Sequence, residues 1–102
     1  MKVQLNLQYE KMPSDVAKPE DLTQVLIGEA VSRRYPNGMP RQESRLYGNL
    51  LNILYKQPTD MDLDMHTVRL IADCLDKAEL PAHMSSWKWT LLDYLESLLK
   101  EK

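Results

Sequence analysis

The sequence predicts a mainly α domain, four helices preceded by one N-terminal β-strand or extended arm, and three observations carry that prediction. Four segments of the 102 residues repeat apolar side chains at helical spacing, one segment alternates them with period two, and prolines or an Asn-Gly pair separate the segments. A chain of this length supports one hydrophobic core, because neither half alone would bury enough surface to fold. Residues 1–10 are accordingly read as the strand or arm, 11–18 as a linker and 19–100 as the helical domain.

From Val3 to Tyr9 the apolar Val3, Leu5, Leu7 and Tyr9 alternate with Gln4, Asn6 and Gln8, the period of a half-buried strand. The aperiodic EKMPSDVAKP follows, and its Pro19 suits the first turn of a helix. That first helix has the stripe Leu22, Val25, Leu26 and Ala30, widened by Ile27 and Val31. Glu20 and Asp21 at its start and Arg33 and Arg34 at its end match the helix dipole. YPNGMP stops it. A second helix, from about Pro40 to Lys56, aligns Leu46, Leu50 and Leu54 with Tyr47 and Leu51 beside them, and the short connection leads us to expect it against the first.

After Gln57-Pro58-Thr59, Asp64 is placed to cap a third helix, with Leu63 and Val68 as a hydrophobic staple. This helix, about Met65 to Glu79, has the inward line Met65, Val68, Ile71, Ala72 and Leu75 and the solvated edge His66, Arg69, Asp73 and Asp76. Pro81 closes it. Ser85 or Ser86 is expected to cap a fourth helix whose stripe is Leu91, Leu92, Leu95, Leu98 and Leu99, flanked by Trp87 and Tyr94.

Composition removes several function classes. A formal charge of -2 and a pI near 5.6 give no general attraction to nucleic acid or anionic lipid. The single cysteine, Cys74, excludes an internal disulfide and a thiol pair for zinc, which fits a reducing, cytoplasmic address. No apolar run approaches the roughly 20 residues a membrane span needs, and MKVQLNLQYE lacks the unbroken apolar stretch of a signal peptide.

Chemistry-bearing constellations are incomplete. Asp60, Asp62 and Asp64 open like a calcium loop, but Met65 stands where that loop turns on glycine and Ile71 where it ends on glutamate. His66 and His83 have no cysteine at ligand spacing. Cys74 falls inside a helix beside the inward line, the place of a packed thiol rather than a nucleophile. The expectation is a non-enzymatic chain without metal or cofactor.

Two features point to binding instead. Arg33, Arg34, Arg41 and Arg45 gather four cations against Glu43 alone, and Arg41 and Arg45 oppose the dipole of the second helix. Local rules are broken more often at sites used for binding, so an acidic protein partner is expected at this corner. The bland alternative is a solvated corner with Arg stems covering Tyr35 and Tyr47. A single strand also leaves backbone groups unpaired. No other stretch alternates convincingly, so a second copy or another protein is expected to supply the partner strand, making Val3, Leu5, Leu7 and Tyr9 the self-association element of a homo-oligomer. The competing reading is an arm laid over the helices.

Gln4, Asn6 and Gln8, with Asn37-Gly38 between the first two helices, partly resemble ribbon-helix-helix repressors. That resemblance implies base contacts by those three side chains from an intermolecular strand pair, although the linker from Glu10 to Pro19 is longer than the family's. LTQVLIGEA, RLYGNLLNILYK and LDMHTVRLIADCLDKA, spanning residues 22–78, are similar to small helical proteins encoded by tailed phages and prophages. This second resemblance implies a viral protein of the host cytoplasm. The combined expectation is a self-associating, protein-binding assembly factor or inhibitor of a host component, with DNA-binding regulation as the alternative.

Overall fold

The computed structural model describes residues 1–16 and 18–101 as four α-helices and one small sheet. In order they are β1 (Lys2–Gln4), α1 (Pro19–Arg34), α2 (Arg41–Leu54), β2 (Asp60–Asp62), α3 (Met65–Lys77) and α4 (Ser85–Lys100), with a 3-10 turn at Ala82–Met84. Ala17, in the expected linker, lies outside the described residues. The mainly helical fold with an N-terminal strand matches the sequence reading.

Helix α3 is the hub, because its inward line is broad. Val68, Leu70, Ile71, Ala72, Cys74 and Leu75 are all buried, so α1 can pack on one side and α4 on another. Asp64 caps α3 as expected: its carboxylate accepts from the Thr67 backbone N–H at 2.8 Å. That bond holds the Asp64 carboxyl below the usual carboxylate range. Leu63 and Val68 are buried beside it. Helix α4 starts differently from the expectation. The 3-10 turn runs straight into it, Met84 occupies the cap position, and neither Ser85 nor Ser86 supplies a capping side-chain bond.

Helix α2 departs further. Its principal contact is α3, not α1. Gly38, at φ +105°, makes the reason local. Its N–H donates to the Tyr35 carbonyl at 3.2 Å, closing a tight turn that only glycine enters without strain and that sends the chain across toward α3.

The largest correction concerns the N-terminal strand. Its partner is β2 of the same chain, antiparallel, with Lys2 opposite Asp62, Val3 opposite Met61 and Gln4 opposite Asp60. Regular pairing is also shorter than Val3–Tyr9. Leu5 N–H donates to the Thr59 carbonyl at 2.9 Å as the last rung, and the next hydrogen-bonded position on the opposite side is Gln57, whose φ of +53° departs from extended backbone. Beyond Leu5 the chain stays extended and keeps its alternation: Leu5 and Tyr9 are buried, Leu7 half-buried, Asn6 and Gln8 exposed.

Candidate functional site

The arm is fastened by side chains from two helices, α1 and α4. Thr23, on the second turn of α1, donates from Oγ1 to the Leu5 carbonyl at 2.7 Å and meets the Tyr9 hydroxyl at 2.6 Å. Trp87 Nε1, on α4, donates to the Glu10 carbonyl at 2.7 Å. Burial pushes the Tyr9 hydroxyl up to a pKa of about 12. Val3, Leu5 and Tyr9, expected as the self-association element together with Leu7, are thus spent inside the chain's own core. The competing reading of that segment, an arm laid over the helices, describes it better.

The residues expected to read bases are dispersed in role. Gln4 is half-buried, and its backbone N–H donates to the Tyr94 hydroxyl at 2.8 Å. Tyr94 therefore occupies the edge of β1 that faces away from β2. Asn6 and Gln8 are exposed but lie beyond the sheet. The intermolecular strand pair that would set these three side chains in a groove is replaced by the intrachain pair.

The arginine corner divides into two halves. Arg33 Nε donates to Glu29 at 3.1 Å and reaches the Glu79 carbonyl at 3.4 Å. Arg34 lies 3.9 Å from Asp73, which also takes Lys77 at 3.0 Å, and its guanidinium stacks 5.2 Å from the Tyr35 ring centroid. An open cleft of about 750 Å³ runs past Arg33, Arg34 and Lys77, but Glu29 and Glu79 line it too, so its charge is close to balanced. On this half the solvated-corner reading fits, since the charges answer one another.

Arg41 and Arg45 form the other half. Both are exposed, one helical turn apart on α2, and among the described residues neither takes part in an ion pair. The helix has a single carboxylate, Glu43, and that side chain is half-buried on the inner side. Leu50 and Leu54 are the buried residues of α2. Leu46, Tyr47 and Ile53 pack against the core while staying partly exposed. Leu51, expected beside the inward line, is 46% exposed, and Tyr55 at the cap is 90% exposed. At 3.6 residues per turn, Arg41, Arg45, Gly48, Leu51 and Tyr55 fall within a sector of about 120°. Their common face carries cations, apolar groups and no carboxylate.

A second exposed aromatic lies on α4. Trp87 is buried and Tyr94 half-buried, but Trp89 is 49% exposed, on the same side of the helix as the exposed Asp93 and Glu96. Helical spacing separates the two tryptophans: Trp87 falls on the stripe of Leu91, Leu95 and Leu98, and Trp89 on the opposite side of the helix.

The remaining polar groups have structural duties. Asp60 pairs with Lys2 at 3.8 Å, and Asp62 lies 3.3 Å from the Met1 amine. Cys74 is buried, and desolvation pushes its thiol up to about 11, which disfavours the thiolate. His83 meets the Trp87 ring edge-on at 6.1 Å. No helix among the described residues is long and apolar enough to cross a membrane. Comparison of the chain with protein-family models, with curated proteins and with solved structures finds no match.

Proposed function

We propose that this chain is a non-enzymatic protein-binding protein, in the manner of an assembly factor, that engages its partner through the outward face of α2. The observation that supports this reading is the pairing of Leu51 and Tyr55, both exposed, with Arg41 and Arg45, both without an ion-pair partner among the described residues. Contiguous apolar groups rimmed by one sign of charge mark interaction surfaces, and Tyr and Arg are the residue types that concentrate binding energy. Lysine and glutamate, depleted at interface centres, are absent from the middle of this face.

The reading takes over the arginine half of the sequence expectation and drops the strand half. Arg33 and Arg34 keep the end of α1 in place through Glu29 and Asp73, while Arg41 and Arg45 face the partner.

A photo-crosslinking residue placed at Leu51 tests it in living cells, with the same residue at Asn6 and at Asp76 as exposed controls on the arm and on α3. Protein adducts at position 51 that exceed those at both controls are expected. Equal yield at all three positions, or none at 51, would remove α2 as the binding face.

A further inference from the structure

The α2 face has a counterpart on the chain itself. The exposed side of α4 presents Trp89, then Asp93 and Glu96, within a sector of about 60° at 3.6 residues per turn. Among the described residues neither acid takes part in an ion pair. One helix therefore shows two cations and two apolar groups, and the other shows a tryptophan and two anions, with the exposed Lys100 one turn beyond Glu96. Apart from the Lys88 ammonium, 5.2 Å from the Trp89 ring centroid, the charged groups of these two faces have no ion-pair partner among the described residues.

The order along each helix fixes a direction. On α2 the cations come first and Leu51 and Tyr55 follow; on α4 Trp89 comes first and the acids follow. Laid antiparallel, Leu51 opposite Trp89 sets Arg45 beside Asp93 and Glu96, because both helices rise about 1.5 Å per residue. That gives about 9 Å from Arg45 to Leu51 against about 6 to 10 Å from Trp89 to the two acids. Laid parallel, the arginines would meet Trp89 and the apolar groups would meet the acids. The antiparallel arrangement also brings the positive end of the α2 dipole to the negative end of α4. Arg45, which opposes the dipole within its own helix, gains its counter-charges there.

From this geometry we infer that the occupant of the α2 face is a second copy of this chain, docked through α4 in an antiparallel α2–α4′ contact. The inference rests on the protein-binding reading above and names its partner. Because the two surfaces differ, the contact is heterologous: a joined pair keeps one free α2 face and one free α4 face between its two copies, and copies add head to tail into a ring or an open chain. Leu51, Tyr55 and Trp89 form the dry centre of the contact, and the charges set its direction and partner choice.

Sedimentation velocity on the purified full-length chain tests this, with two charge-reversed variants, R41E/R45E on α2 and D93K/E96K on α4. Wild type is expected to exceed monomer mass and to grow with concentration, and raising salt from about 50 to about 500 mM should shrink it. Each variant alone presents like charges on both faces, has no usable joint and should sediment as a monomer. Mixed in equal amounts, the two variants should recover wild-type assembly by alternating, because reversed α2 then meets reversed α4 and native α2 meets native α4. A chain carrying all four changes should regain wild-type assembly. Circular dichroism confirms that each variant is folded; if one is not, Arg45→Ala and Glu96→Ala replace it and should each weaken assembly at least tenfold. A monomeric wild type throughout, or a mixture that stays monomeric, overturns the second copy as occupant. If crosslinks at Leu51 persist in cells while the purified chain is monomeric, the protein-binding reading stands without this inference.

Discussion

The N-terminal arm and helix α2 stand in opposite relation to the core. The arm has three residues of regular strand, yet α1, α4 and β2 all bond to it, and its side chains fill the centre of the domain. Helix α2 has fourteen residues of regular backbone, one principal neighbour and two buried side chains. Regular hydrogen bonding inside an element says nothing of how much that element contributes to the core. Burial of side chains decides it, at roughly 25 cal/mol for each Å² of apolar surface removed from water. The arm is structural although irregular, and α2 is a surface element although regular.

Replacing matched leucines breaks the comparison most directly. Leu5→Ala, at a side chain with no exposed surface, should cost about 2–5 kcal/mol by chemical denaturation. Leu51→Ala on α2 should stay within about 0.5 kcal/mol, as surface changes do. Equal losses would mean that α2 belongs to the core. Thr23→Val comes next. It keeps the shape but removes the bond to the Leu5 carbonyl and the contact with Tyr9, leaving buried polar groups unmatched at about 1–3 kcal/mol.

Tyr9 extends that test to alkaline pH. A group whose folded pKa is raised contributes its stability in full below the unfolded value, near 10, and loses it as pH rises through the folded value of about 12. Melting temperature should therefore fall with pH across that interval, and Tyr9→Phe should flatten the fall. An unchanged slope in the variant would place the titration elsewhere. One small expected effect has the opposite sign. A β-carbon at Gly48 would meet no atom within 4 Å, so Gly48→Ala should raise monomer stability by about 0.5–1 kcal/mol through helix propensity alone.

These residues also show what the sequence could and could not disclose. Helix positions, the Asp64 cap with its Leu63–Val68 staple, and the in-out alternation of the arm were legible because each is local and periodic. β2 was not. Met61 and Leu63 alternate with Asp60, Asp62 and Asp64, but aspartate is depleted in strands, and three of them drew the eye to capping and metal ligation. With β2 hidden, the arm looked unpaired, and the need for an outside strand followed from that omission. The outward turn of Leu51 was hidden for a related reason. Amphipathic spacing shows that a helix has an apolar side but not how many neighbours cover it, and Gly38 redirects α2 from α1 to α3. At the arginine corner, sequence proximity joined four residues that the fold separates into two pairs.

The wiring of the arm has a consequence for biosynthesis. Val3 pairs with Met61, and the Gln4 N–H waits for the hydroxyl of Tyr94, 90 positions later. At 5–20 residues per second, a ribosome needs roughly 5–20 s to deliver that last partner. Through that interval the first residues emerge as an apolar extended segment that nothing yet made can cover. The arm is therefore covered late, when Tyr94 arrives, and the nascent chain is most vulnerable to misassociation at the very residues that are best protected once the domain has folded.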